Sequence, residues 1–452
     1  MKTEIVICGA GIAGIAAAYH LAVKHGQKDI LLVDDRPPLT LTSDKSTECY
    51  RNWWPGEDMV VFMNRSIDLM EAMAEESGNV FHLNRLGYLF LTASPDRISE
   101  IEESARKISR SGAGPLRVHH NFPGEVTYSP SPPEGYHCRA PGADLLLEPS
   151  LIHAHYPYLS EDVVAALHVR RAGWFSGQQL GMYMLEKARS AGVQLIQSRL
   201  TGVKTTKGKI SAIKLDGSDT VRTDCLINAA GPLSSDLGLM IGIELPIYCE
   251  LHQKVAFKDP AGVIARDAPL LIWMDRLCLN WSKDEIELLT EDEVSRLVLE
   301  EMPPGLHTRP EGGPDSQIIL GLWEYQSEKS VPIWPLPADT LYPEIVLRGL
   351  MRMVPGLSRY REKASKPQID GGYYTKTIEN RPLIGKLPVE GAFIIGALSG
   401  FGMMSSSAAG ELLAAHVMGS RLPSYAPVFS LDRYSDPTYL TNLRQLQVSG
   451  QL

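Results

Sequence analysis

Cysteine is scarce in this chain and nowhere paired by spacing. Cys8, Cys49, Cys138, Cys225, Cys249 and Cys278 are scattered through 452 residues without a C-x-x-C motif. That excludes a disulfide framework and a cysteine zinc site, and these side chains are expected to act as small buried apolar groups. Basic excess is also missing. The net charge is -9, so the chain has no surplus of cations with which to neutralise nucleic acid or an anionic membrane surface. No run approaches the ~20 apolar residues of a membrane helix. The apolar stretch from Ile5 to Val23 has no cationic leader beyond Lys2, so it does not read as a signal peptide. A cytoplasmic, reducing setting is the expectation. No metal is expected either: His119-His120 and His153-x-His155 fall in irregular or surface-like segments. Internal repeats and long low-complexity tracts are absent.

What is present points to an α/β fold. Hydrophobic residues make up 44% and charged residues 21%, enough core for two domains at this length. The chain opens with Glu4-Ile-Val-Ile-Cys-Gly9-Ala-Gly11-Ile-Ala-Gly14, an apolar run followed by a G-x-G-x-x-G motif. The small-residue stretch Ile15 to Ala18 then starts a helix, and a second apolar run, Ile30 to Val33, ends in Asp34. In such a unit Gly9 permits the tight turn, Gly11 lets the backbone approach a pyrophosphate, and Gly14 lets helix and sheet pack closely. The helix start, with Ile12 and Ala13, offers free N–H groups to the phosphates. Asp34, followed by Asp35, stands where a carboxylate takes ribose hydroxyls. A second glycine motif of this kind, which a nicotinamide cofactor would need, is lacking.

Helices are predicted over 58–77, 95–109, 177–191, 291–300, 342–353 and 404–418. Strands are predicted over 87–92, 163–174, 193–198, 202–204, 225–228 and 393–397. The proline- and glycine-rich stretch 111–142 carries little periodicity and reads as an irregular excursion or lid, with a passive surface insertion equally open.

With these pieces in order, the chain resembles the FAD-dependent amine and amino-acid oxidoreductases, the group of D-amino-acid oxidase, sarcosine oxidase and dimethylglycine dehydrogenase. The likeness is carried by the N-terminal glycines with Asp34, Gly173-Trp-Phe-Ser-Gly-Gln-Gln-Leu180 and Asn228-Ala-Ala-Gly231. It continues in Arg309-Pro-Glu311, Asn380-Arg-Pro-Leu-Ile-Gly385, Ser399-Gly-Phe-Gly402 and Phe429-Ser-Leu-Asp-Arg433. It implies a discontinuous Rossmann-type FAD-binding domain (1–79, 176–242 and 371–452) and a mixed-sheet α+β substrate domain (80–175 and 243–370), with the flavin at their junction. It further implies cofactor contacts from Ser46, Thr47, Val203, Ala230, Gly231, Gly400, Phe401, Gly402 and Met403, a core-strand role being equally open for Val203. The helix start after Gly402 would face the flavin's pyrimidine end, where a positive dipole favours the anionic reduced form.

The implied reaction is hydride transfer from a carbon beside an amine nitrogen to flavin N5, then imine hydrolysis. Members that bind FAD covalently use a cysteine where this chain has Gly372, or a histidine after the second strand, and 40–47 contains none; non-covalent FAD is expected. The cationic anchors used for amino-acid carboxylates are replaced by Tyr374 and by Met403-Met404. Arg51 remains as a candidate carboxylate anchor, open to the alternative of a structural pairing with Glu48 or Glu57. Glu48 stands where sarcosine oxidases carry a basic residue, which favours a cationic or amine-rich substrate. Trp53, Trp54, Tyr373, Tyr374, Phe401, Met403 and Met404 suggest a bulky or aromatic secondary or tertiary amine, or an N-alkyl amino acid. The strand Gln317 to Gly321 lacks the lysine that sarcosine oxidases hold over the flavin. Lys45 and Lys376 are the candidates to replace it, and either oxygen or an electron-transfer acceptor is open as oxidant. The expected partner is a small amine, with the chain a monomer or homo-oligomer. An alcohol- or 2-hydroxyacid-oxidising flavoenzyme and an FAD-bearing non-catalytic subunit are the competing readings.

Overall fold

The first apolar run forms strand β1 (Ile5–Cys8), followed by helix α1 (Ile12–Tyr19) and strand β2 (Ile30–Asp34). The computed structural model describes residues 2–445 except 121, 123, 125, 138–139, 218–219, 292–294, 327, 338 and 362–365. The expectation for Cys138 lies outside the described residues. β1 pairs in parallel with β2 and with Cys225–Asn228, which pairs in parallel with Ala392–Gly396. Gln194–Gln197 extends the sheet beside β2, and Leu383–Lys386 closes the other edge antiparallel, giving six strands. The inner strands β1, β2 and Ala392–Gly396 are buried along their length, only Cys8 and Asp34 at the ends of β1 and β2 being half-buried, as a parallel sheet covered on both faces requires. α1 packs against the long helix Gly402–Met418. Alanines and a glycine let the two backbones meet: a Cβ at Gly410 would lie 2.6 Å from the Ala16 carbonyl carbon.

A second, ten-stranded mixed sheet takes its strands from residues 88–169 and 248–376. Its long member Tyr248–Lys258 pairs antiparallel with Gln368–Lys376 on one side and Ile318–Leu322 on the other. Leu306–Glu311, Leu270–Trp273, Tyr88–Thr92 and Ala165–Val169 follow in order. Side chains alternate between its faces. Tyr88, Phe90, Leu270 and Ile272 join the core that holds Trp54, Phe401 and α1. Leu89, Leu91, Leu271 and Trp273 join a separate core with the helix Tyr342–Met353. One face of this sheet is therefore turned toward the β1–α1 unit. Gln368–Lys376 straddles the expected domain boundary at 370/371.

Several predicted elements differ from those observed. The 163–174 strand is two, Ala165–Val169 and Ala172–Trp174, the second pairing with Cys49–Arg51. Within the helix expected at 291–300 the described residues form a 3-10 helix, Ser295–Leu299, while 292–294 lie outside the described residues; a further helix, Lys283–Thr290, was not expected and starts at a reciprocal capping box of Ser282 and Glu285. The described part of 111–142 contains one strand, Leu116–His119, and is anchored by a buried ion cluster. Asp144 accepts from Arg117 at 2.6 and 2.7 Å, from His119 at 2.8 Å and from Arg170. Arg170 also donates to the Ser129 carbonyl at 2.8 Å. Among the described residues no helix is long and apolar enough to cross a membrane, and no cluster of histidine, cysteine or acidic side chains has metal-site geometry.

Candidate active site

A cavity of about 540 Å³ runs from the β1–α1 turn to the start of the Gly402–Met418 helix. Gly9, Gly11, Ile12 and Ala13 line it at the turn, Asp34 and Asp35 at the end of β2. Gly9 has φ +112°, and a Cβ there would meet the Ala229 carbonyl oxygen at 2.2 Å. A Cβ at Gly14 would stand 1.8 Å from the Gly9 carbonyl oxygen. Gly14 thus shapes the turn from behind without lining the cavity. Both contacts press backbone against backbone, which only glycine allows. Asp34 is spent partly on this turn: its carboxylate accepts from the Ala10 N–H at 2.7 Å and the Arg36 N–H at 3.0 Å.

At the helix start the Ile12 N–H donates to the Ser43 hydroxyl at 3.0 Å. Ser43 therefore stands at the donor group where phosphate oxygens bind in such turns. Sequence reasoning passed over Ser43 and named Ser46 and Thr47. Ser46 lines the cavity. Thr47 does not; its carbonyl is held by buried Arg309 at 2.7 and 3.1 Å. Val203 does not reach the cavity either. It packs on a neighbouring core, because the strand Leu200–Thr206 carries it past the opening, and Arg199, Leu200 and Thr201 line the wall instead. Ala230 and Gly231 are at the wall, as are Gly400, Gly402 and Met403. Ala397 and Ser399, with φ of +50° and +49°, hold that last loop in a left-handed conformation uncommon for residues with a side chain.

The candidates for chemistry separate. Tyr373 and Tyr374 line the cavity. Trp54, Phe401 and Met404 are buried in the core and do not line it. Trp54 meets Phe401 edge-on at 5.1 Å and donates its indole N–H to the Arg51 carbonyl at 2.9 Å. Arg51 sits behind them, its guanidinium 4.5 Å from the Trp54 ring and 5.6–5.7 Å from Phe90 and Tyr88. Glu48 accepts from the Gly177 N–H at 2.6 Å and so serves the start of the helix Gly177–Ser190. Burial raises its pKa, with Arg309 opposing. Lys45 pairs with Asp44 at 2.6 Å and Asp370 at 3.2 Å. Lys376 pairs with Glu250 at 2.7 Å.

The sheet face behind Tyr374 holds groups that the sequence did not single out. Lys254 donates to the Ser46 carbonyl at 2.7 Å, and burial lowers its pKa. His252 is flanked by Glu250 at 3.2 Å and Glu324 at 3.0 Å and stacks on Tyr374, ring centres 4.1 Å apart and planes at 15°. Glu250 is opposed by burial, but His252 and Lys376 outweigh this and bring its pKa down to about 2. Alternation along one strand marks 250, 252 and 254 as one face, a signal present in the sequence. Glu324 and Lys376 join it only through strand pairing.

A family model described as DAO, FAD dependent oxidoreductase, matches residues 4–416. The chain belongs to the DAO family. Its relatives include human mitochondrial dimethylglycine dehydrogenase, 28% identical over 276 residues, covering 60% of this chain and 28% of that protein. Another is sarcosine oxidase subunit beta from Arthrobacter sp, 25% identical over 255 residues, covering 54% of this chain and 55% of the other. The match thus spans little more than a quarter of the dimethylglycine dehydrogenases' own length. In fold this DAO-family chain is similar to L-proline dehydrogenase from P. horikoshii, with TM-score 0.74, 20% identity, and coverage of 96% and 98% of the two chains.

The cofactor of this DAO-family enzyme is FAD, and the cavity fits it. The glycine turn and the helix start, with the Ser43 hydroxyl at the Ile12 N–H, suit a diphosphate, Asp34 and Asp35 suit a ribose, and the apolar wall of Leu398, Met403, Tyr373 and Tyr374 suits a flat ring system. Among the described lining residues there is no histidine and one cysteine, Cys8. Burial, with Asp34 and Asp35 nearby, pushes the Cys8 thiol up to about 12, which keeps it protonated and a poor nucleophile.

Proposed function

We propose that this flavoenzyme oxidises a C–N bond of a secondary or tertiary amine or an N-alkyl amino acid, with release of a carbonyl compound and a smaller amine after imine hydrolysis. FAD, when bound, supplies the acceptor for the hydride equivalent. The observation that carries the reading is the lining of the cofactor cavity by Tyr374 and Met403, with the Glu250–His252–Glu324 face behind Tyr374. The names of the relatives, which act on dimethylglycine, sarcosine, glycine and proline, support the amine class. The chain's part is to exclude water, hold the neutral amine against an apolar wall, and align its C–H bond.

The two-domain division set out under Sequence analysis is proposed with it, and FAD is proposed to bind without a covalent link. The preference for a bulky substrate rests on Tyr373, Tyr374 and Met403 at the wall; Trp54, Phe401 and Met404 support that wall from behind. Arg51 lies in the same second layer, so a substrate carboxylate is held there only if Trp54 turns aside. Lys254 is a stronger candidate than Lys45 or Lys376 for the oxygen-activating lysine, being half-buried and free of a carboxylate contact within ion-pair distance among the described residues. Oxidase activity is proposed on that basis.

Anaerobic mixing with an amine panel from sarcosine, dimethylglycine, glycine and proline up to aryl-substituted N-methylamines tests the reading. Bleaching of the flavin by the larger amines supports it. Reduction by dithionite but by no amine, or by 2-hydroxy acids alone, overturns it. Hydrogen peroxide release under air separates oxidase from dehydrogenase.

A further inference from the structure

His252 lies in the middle of Tyr248–Lys258, directly opposite Gly372 of the paired strand, and Glu250 lies opposite Tyr374. Gly372 has no side chain to come between them, its Cβ direction being taken by Thr42 and Lys45, and the Tyr374 ring lies flat on the imidazole across the diagonal. Diagonal neighbours of this kind are within reach for aromatic side chains. Tyr374 lines the cofactor cavity and His252 does not, so the histidine touches the site only through that ring.

Both ring nitrogens face carboxylates: Nε2 is 3.2 Å from Glu250 and Nδ1 is 3.0 Å from Glu324. A neutral imidazole carries one N–H and would turn a lone pair on one of them; an imidazolium donates to both. Lys376, from the strand that bears Tyr374, shares the Glu250 oxygen at 2.7 Å. His307, on Leu306–Glu311, is close enough to Glu324 for the two to interact, but burial lowers its own pKa and it adds no fixed charge. Two carboxylates thus face one lysine and the histidine, and the four balance when the histidine is charged. Burial opposes that charge, but Glu324 and Glu250 outweigh it and hold the pKa above its ordinary value of 6.5.

We propose that His252 is a positioning residue for the reaction: as an imidazolium clamped by Glu250 and Glu324 it holds the Tyr374 ring flat against the cofactor cavity, and loss of its proton frees that ring. Charge on the imidazole strengthens the stack because the phenol face is electron-rich. The half of the proposal that concerns turnover rests on the amine-oxidase reading; the half that concerns the ring does not.

The first test is NMR of the FAD-loaded protein carrying carbon-13 in its histidine and tyrosine rings, with His252 and Tyr374 assigned from the spectra of His252→Gln and Tyr374→Phe. His252 is expected to titrate above pH 6.5, and the Tyr374 resonances to move with the same midpoint. Glu324→Gln removes one carboxylate and is expected to weaken proton binding at His252 at least tenfold, carrying the Tyr374 midpoint with it. Titration at or below 6.5, a midpoint unmoved in Glu324→Gln, or a Tyr374 signal indifferent to His252 would each overturn the proposal. The second test is the pH profile of anaerobic flavin reduction by the best amine. The rate is expected to fall through an alkaline limb at the NMR midpoint. That limb is expected to shift toward acid in Glu324→Gln and vanish in His252→Gln; a purely structural histidine would lower yield and leave the limb in place, which overturns the claim. If the Tyr374 signal follows His252 while no amine reduces the flavin, the positioning stands and the amine reading falls.

Discussion

Replacing Gly14 by alanine tests the cofactor turn most directly. The new Cβ would stand 1.8 Å from the Gly9 carbonyl oxygen and 3.3 Å from the Ala229 side chain. Ordinary contact begins near 3.4 Å, so helix α1 must withdraw by about 1.6 Å or the turn must open by as much. Either movement carries the Ile12 and Ala13 N–H groups out of hydrogen-bond range of a diphosphate seated on the turn. A hydrogen bond to a charged partner contributes about 1.5–3 kcal/mol. Losing two weakens FAD binding by about 3 kcal/mol or more, at least roughly 100-fold in Kd. The assay is reconstitution of the apoprotein followed by quenching of flavin fluorescence, with Gly202→Ala alongside; that Cβ meets nothing closer than 3.9 Å. Binding of FAD by Gly14→Ala within threefold of the parent would refute the reasoning about the turn.

Asp144→Asn removes the carboxylate that buried Arg170 pairs with; a loss of about 3–5 kcal/mol is expected in denaturant titrations, and an unchanged midpoint would count against the cluster as an anchor. His20 is buried with no partner for Nε2, and burial brings its pKa down from 6.5 to about 4. A depressed histidine binds its proton later in the folded state than in the unfolded chain, so stability is full above pH 6.5 and falls by about 3 kcal/mol on descending to pH 4. His20→Phe is expected to flatten that part of the stability profile, and an unchanged slope would contradict the assignment. Acid precipitation is expected to leave FAD in the supernatant; a yellow pellet would show a covalent link.

What the sequence revealed was what lies close together along it. Gly9, Gly11, Ile12, Ala13, Asp34 and Asp35 belong to one βαβ unit, and all six line the cavity. Cys225–Asn228 and Tyr342–Met353 were legible as elements because their apolar runs end at clear boundaries. Placement across the fold was harder. Val203 and Leu200 share a strand, and only its departure angle decides which meets the cavity. Trp54, Phe401 and Met404 have the composition of a substrate wall, yet they pack on one another, which composition alone does not distinguish. Glu48 reads as a free acid until Gly177, far along the chain, is seen to donate to it. The His252 clamp needs the register of Tyr248–Lys258 against Gln368–Lys376 and the position of Glu324 beyond a third strand.

The order of strands in the parallel sheet bears on biosynthesis. β1 is flanked on its inner side by residues 225–228, and these in turn by 392–396, while the nucleotide turn rests on Ala229. A nascent chain emerging N-terminus first therefore exposes its glycine motif long before the neighbours that brace it exist. The cofactor cavity, whose wall runs on to Met403, is therefore complete only after residue 403 has been made, which makes the nucleotide site a late, long-range product of folding.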